Sequence, residues 1–304
     1  VAAPHTAREV TLATIWQQAL HRNVVGLDDN FFSIGGDSIL SIQVVTRARQ
    51  AGLKISPHQL FQCQTLRQLA AVAIPTNEAL LTAQDLVTGE VPLTPIQSWF
   101  LEQAWSEPQH FNQAMLFETA TTVNPLWLEA ALRSLLQHHD ALRLRVECVQ
   151  GKWQQTNSGQ TETVAFQVVD LASLSPQERM ERLNAEANHA QATLDLANGP
   201  LLRAVLFRYG PQTPGRLLLV IHHLVVDGVS WRILLEDLQT AYVQSGRSET
   251  ISLPAKTTAF RDWSHWLANV GVKRVFAEQA WWQKVVQEMQ SDFPVDFPAG
   301  LAEN

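Results

Sequence analysis

The chain changes its periodicity between residues 75 and 90, and that change limits what it can fold into more than any other feature. Before the break, apolar residues recur only at intervals of three and four; after it, β-like runs alternate with helical ones. The segment itself, PTNEALLTAQDLVTGE, has no sustained pattern beyond a few leucines and reads as a linker. Nine of the ten tryptophans follow it, from Trp99 onward. Two modules of different class are expected. The 304 residues give them room, and 46% hydrophobic content supplies their cores.

In the first module, residues 1–74, Leu12, Ile15, Trp16, Ala19 and Leu20 form one helical stripe. A second helix starts near Ser38, with Ile39, Leu40, Ile42, Val44, Val45 and Ala48 on a broad face and Gly52 at its stop. Pro57 opens a short third helix carrying Leu60 and Phe61. Leu66, Leu69, Ala70 and Ala73 mark a fourth, ended by Pro75. The expected fold is a four-helix bundle with one long loop, Asn23 to Asp37, pinned by Phe31 and Phe32. Where that loop meets the second helix, in FFSIGGDSIL, Gly35 and Gly36 remove side chains beside Ser38, and Asp37 suits an N-cap. The residues alone leave two readings: Asp37 and Ser38 as a capping pair, or Ser38 as a hydroxyl accessible to another enzyme. No base follows Ser38 in a nucleophile-elbow pattern, so a serine hydrolase is a weak reading.

In the second module, NQAMLFET, ALRLRVECV, ETVAFQVVD, PLLRAVLFRY and GRLLLVIHH are candidate strands, with helices expected at 124–138 and 175–193. This is an α/β layered domain. The last strand runs through HHLVVDGVSW (222–231) into a helix carrying Trp231, Leu234, Leu235, Leu238 and Tyr242. His222 and His223 point to opposite faces of a strand, so at most one lines a given cleft. The pair lacks the further ligands of a zinc site, and no metal is expected. HHDALRLR (138–145) also pairs histidines with an acid, but at a helix-to-strand junction, where they are not expected to be catalytic. There, Arg143 or Arg145 is expected to project inward and pair with a buried carboxylate, Asp227 being the leading candidate.

The 29 acidic residues outnumber the 22 basic ones, and no Lys/Arg block tracks a phosphate backbone, so nucleic acid is not an expected partner. Cys63 and Cys148 stand far apart, without disulfide-framework or metal spacing. No run of 18 apolar residues or export signal is present, which predicts a cytoplasmic protein that does not cross a membrane.

DDNFFSIGGDSILSIQVV resembles the attachment motif of the peptidyl carrier (thiolation) domains of non-ribosomal peptide synthetases, over residues 5 to 74. The resemblance implies that Ser38, flanked by Asp37 and Gly36, carries 4′-phosphopantetheine, installed by a phosphopantetheinyl transferase; the free N–H groups and dipole of a helix N-terminus would favour its phosphate. VPLTPIQSWFLEQ, HHDALRLR and HHLVVDGVSWRILLEDL resemble the condensation/epimerization superfamily of the same synthetases, whose fold is similar to chloramphenicol acetyltransferase. Within it PIQSWF, the Ser230–Trp231 step, His138, KTTAF and the GGDS form of the carrier motif resemble the epimerizing branch. That implies residues 91–304 are the first lobe of an epimerization domain, with His223 as the base for the α-proton of an aminoacyl or peptidyl thioester, Asp227 as structural support and His222 serving stability. An adenylation domain upstream and a condensation domain downstream are the implied partners. The EGHGRE-like motif of the family's second lobe is not found, so a shortened domain is expected. Condensation, or a carrier with a docking fragment, are the alternatives.

Overall fold

The computed structural model describes residues 2–76, 84–103, 105–159 and 163–288. The chain divides into two compact units, 1–83 and 84–304.

The first unit holds four helices: α1 (Ala7–Leu20), α2 (Ser38–Gln50), α3 (Pro57–Gln62) and α4 (Leu66–Val72). Local chemistry sets their starts. Thr6, Ser56 and Thr65 each cap a helix and are answered three residues on by Glu9, Gln59 and Gln68, so each box satisfies two otherwise orphaned N–H groups. β1 (Leu53–Lys54) pairs antiparallel with β2 (Ile74–Pro75) and ties the end of α4 back to the end of α2. Leu12, Trp16, Phe31, Val44, Leu60, Leu66 and Leu69 are fully buried in one core.

The 23–37 loop is held as expected, by its aromatics and by backbone. Phe31 lies 5.0 Å from Trp16, its N–H donates to the Gln64 carbonyl at 2.8 Å, and half-buried Phe32 stacks on Phe61 at 5.1 Å. Of the glycine pair, Gly36 serves this plug. A Cβ on Gly36 would collide with the ring and carbonyl of Phe31, and Gly35 has open space but a φ of +109°.

In the second unit, β4 (Asn112–Glu118), β9 (Arg216–His222), β8 (Leu202–Arg208) and β7 (Ala165–Asp170) form a sheet in that order; only the β7–β8 pair is parallel. α6 (Pro125–His138) and α8 (Gly228–Gly246) cover one face through Leu132, Leu135, Trp231 and Leu238. The other face carries α7 (Pro176–Ala192), with Leu183 and Ala190 against Val205, Phe207, Leu218 and Val220. Helices on both faces bury both alternating sets of strand residues, which is why β8 and β9 read as almost continuous apolar runs.

A second sheet, β3 (Gly89–Glu90), β6 (Lys152–Asn157) and β5 (Leu144–Val149), is antiparallel. Of the segment expected to be a linker, 75–90, Pro75 belongs to the first unit's ladder and buried Val87 and Gly89–Glu90 to the second unit, while 77–83 lie outside the described residues. The strand expected from 141 begins at 144, because residues 140–143 form a 3₁₀ turn that buries Leu142 and Arg143. α5 (Pro95–Glu102) comes directly after β3, and residues 260–288 form α9 (Phe260–Trp266), a π-helical turn (267–271) and α10 (Val272–Glu288), with Trp263, Phe276, Trp281 and Trp282 exposed.

Because Phe31 is the contact that joins the long loop to Trp16, Phe31→Ala should cost the first unit about 3–5 kcal/mol, measured by chemical denaturation. A loss below 1 kcal/mol would show that the loop does not depend on this plug.

Candidate functional site

Ser38 is the first residue of α2 and is exposed. Asp37 caps the helix: its Oδ1 accepts from the Ile39 and Leu40 N–H groups at 2.8 and 2.7 Å. Two of the N–H groups that the dipole argument offered to a phosphate, those of Ile39 and Leu40, are therefore already engaged. The Ser38 hydroxyl makes no hydrogen bond among the described residues, and its carbonyl accepts from Ser41. An accessible primary alcohol on a rigid helix end fits a covalent phosphodiester attachment.

β9 splits the histidine pair across the sheet. His222 is fully buried; its Nε2–H donates to the Pro108 carbonyl at 2.8 Å and its Nδ1 accepts from Leu224 N–H at 3.1 Å, with Phe100 edge-on at 5.9 Å. Burial drives its pKa down to about 4, so it is neutral at pH 7 with both nitrogens committed. His223 is exposed on the α6/α8 side. Its backbone extends the ladder by donating to the Phe111 carbonyl at 2.9 Å, its ring stacks on Phe111 at 5.2 Å and 18°, and its Nδ1 lies 2.8 Å from the Val226 carbonyl. Nε2 lies 3.2 Å from Gln113 Nε2, and Gln113 Oε1 accepts from Trp231 Nε1–H at 2.7 Å. The structure thus brings His223 and Trp231 together through Gln113, which sequence reasoning passed over. The signal was available only as a cross-strand relation, since Gln113 pairs with Ile221 and is diagonal to His223.

Asp227 and Arg143 do not pair. Asp227 is the N-cap of α8, accepting from Ser230 N–H and Ser230 Oγ–H, both at 2.7 Å. Burial would raise its pKa, but the hydrogen bonds from Ser230 and Val229 outweigh it and hold the carboxyl below its ordinary value. Arg143, buried, spends its guanidinium on the carbonyls of Leu136 and Gln137 in the last turn of α6 and of Ser158 and Val87. The expectation of an ion pair fails because each charge is used at a helix end of matching sign, the anion at the N-terminus of α8 and the cation at the C-terminus of α6. Elsewhere, His138, His139 and Asp237 bring three possible ligand atoms within 4.8 Å, with His139 Nε2 already 2.8 Å from Asp237. Burial and then the neighbouring His139 lower the His138 pKa.

Comparisons with known proteins match each of the two units to a family. Residues 10–73 match the family described as phosphopantetheine attachment site, and residues 87–302 match condensation domain. A linear gramicidin synthase of Brevibacillus parabrevis is 48% identical over 282 residues, covering 92% of this chain and 5% of that protein. A surfactin synthase of Bacillus subtilis (strain 168) is 40% identical, covering 97% of this chain and 8% of that protein. The chain therefore spans only a small part of these relatives. Among solved structures, the epimerization domain from the third module of a tyrocidine synthetase superposes with a TM-score of 0.65 at 35% identity, over 71% of this chain and 49% of that one. The starter condensation domain of rhizomide synthetase gives 0.55 at 18%, over 64% and 48%, a likeness of fold.

Two outcomes follow from the electrostatics. His222 is neutral in the folded state down to about pH 4 but protonates near 6.5 when unfolded. Its contribution is therefore complete above 6.5 and is lost as pH falls to about 4, roughly 3 kcal/mol over that window; His222→Gln should flatten this part of a stability–pH profile, and an unchanged slope would contradict the assignment. In a double-mutant cycle, Asp227→Ala should cost about 1 kcal/mol as a lost cap, and its coupling to Arg143→Ala should stay within about 0.5 kcal/mol. A coupling of several kcal/mol would restore the ion pair.

Proposed function

This chain belongs to the condensation-domain family, with a phosphopantetheine attachment unit ahead of that domain, and we propose that it serves non-ribosomal peptide synthesis by converting a carrier-bound L-residue to its D form. The observation that carries this reading is the division of the histidine pair: His222 sealed and neutral, His223 exposed with its Nδ1 at the Val226 carbonyl and its Nε2 at Gln113. The likeness to an epimerization domain at 35% identity supports the choice of reaction.

The 4′-phosphopantetheine carried on Ser38 supplies a thioester, which acidifies the α-proton of the attached residue. His223 Nε2 takes that proton, the C–H electron pair passes into the thioester carbonyl as an enolate, and the Nδ1–H bond to the Val226 carbonyl stabilises the imidazolium that forms. A proton delivered to the opposite face of the α-carbon completes the inversion. Asp227 and Ser230 hold the start of α8, and so the Trp231 side of the site, in place. His222 fixes the strand end against Pro108 from behind.

In this reading the four helices of the first unit are the carrier bundle, loaded after a phosphopantetheinyl transferase has modified Ser38, fed by an adenylation domain upstream and emptied by a condensation domain downstream. A reducing cytoplasm suits the free thiols Cys63 and Cys148. Amide formation between two carrier-bound substrates is the second reading, favoured by the condensation-domain match itself.

Coenzyme A with a phosphopantetheinyl transferase should add one arm, seen by intact mass, and Ser38→Ala should abolish it; modification of the variant would overturn the attachment site. In a holo-protein extended to the full length of the matched epimerization domain and loaded with an L-aminoacyl thioester, α-proton exchange with deuterium and a mixture of L and D products are expected. His223→Ala should lower exchange by roughly 10²-fold or more. Amide product without exchange would select the condensing reading instead.

A further inference from the structure

We propose that Gln113, itself oriented by Trp231, is a positioning residue that sets the tautomer of His223 and keeps the proton-accepting lone pair on Nε2. The importance of this for chemistry rests on His223 being the base of the reading above; the tautomer itself does not.

The inference follows from donor and acceptor identity around the ring. An indole N–H can only donate, and Trp231 Nε1 lies 2.7 Å from one end of the Gln113 amide, so that end is the oxygen. The other end, an NH₂ group that can only donate, then faces His223 Nε2 at 3.2 Å. Nε2 must accept, and so carries no proton. From the opposite side of the ring the Val226 carbonyl, which can only accept, lies 2.8 Å from Nδ1, which must therefore carry the proton. Two separate contacts demand the same tautomer.

The framework that holds this arrangement is rigid. Trp231 is buried in the α6/α8 core, with 2% of its surface exposed, and cannot turn its N–H away. Gln113 sits within the seven-residue β4–β9 ladder, and Phe111, two residues earlier on the same face, stacks against the imidazole. The chain Trp231, Gln113, His223 and Val226 thus links the first turn of α8 to the edge of the site through four groups with one consistent direction of donation. It also implies a latch. A proton on Nε2 would set two donors face to face, so the Gln113 amide must give way as the α-proton is transferred.

The test is ¹⁵N NMR of the imidazole rings in the folded 304-residue chain without any arm or substrate, with His223 assigned by the loss of its signals in His223→Gln. In the neutral ring the proton is expected on Nδ1. Gln113→Glu replaces the donor by a carboxylate that can only accept while the Val226 carbonyl still holds the proton on Nδ1, and should bring a second proton onto Nε2. Trp231→Phe, which frees the amide to turn, should give a mixture of tautomers. The His222 ring, with its proton on Nε2, reports whether each variant is folded, and Gln113→Met, expected to give a mixture as well, takes the place of a variant that loses that signature. A wild-type proton on Nε2, or a Gln113→Glu ring whose Nε2 stays bare in a folded chain, would overturn the proposal. Lack of deuterium exchange in the loaded protein would instead count against the epimerase reading and leave the tautomer assignment standing.

Discussion

The twofold alternation of a β-strand is the constraint on which the second unit's chemistry depends. Along β9, Leu218, Val220 and His222 point to one face and Leu217, Leu219, Ile221 and His223 to the other. The register with β4, Asn112 opposite His222, carries this alternation to the strand's end, where the His223 N–H still bonds the Phe111 carbonyl. A slip of one residue would bury His223 and expose His222. One imidazole is thereby made a buried, neutral structural part and its neighbour an exposed ring, from identical side chains.

Capping is the second organising theme, and it serves both units. Asp37 begins α2 and presents Ser38, and Asp227 begins α8 and presents Trp231 to Gln113. Both acids follow the chemistry of a helix start, where a carboxylate satisfies first-turn donors, two N–H groups for Asp37 and the Ser230 N–H and hydroxyl for Asp227, and meets the positive end of the dipole. Arg143 does the reverse at the end of α6, a buried cation dispersed over backbone carbonyls.

Much of this was legible in the sequence. The helices of the first unit announce themselves through stripes and Pro or Gly stops, the β8 and β9 runs through apolar density, and the opposite facing of the two histidines through strand geometry alone. β6 was missed because its inward residues, Gln155 and Asn157, are polar; Gln155 is satisfied by Gln97 at 2.9 Å, a partnership no hydrophobic pattern signals. The Arg143–Asp227 pairing was wrongly expected because sequence supplies two opposite charges but not the helix ends that compete for them. Gln113 was invisible because its role exists only once β4 lies beside β9.

The claim that the two histidines are divided between a sealed face and an open one can be measured directly by carbethoxylation of the folded chain with diethylpyrocarbonate, read by peptide mapping. The reagent attacks an unprotonated, accessible imidazole nitrogen. His223 should be modified while His222 stays protected until the chain is unfolded, since both its nitrogens are bonded and its ring is buried. Modification of His222 in the folded chain at a rate matching or exceeding that of His223 would contradict the account.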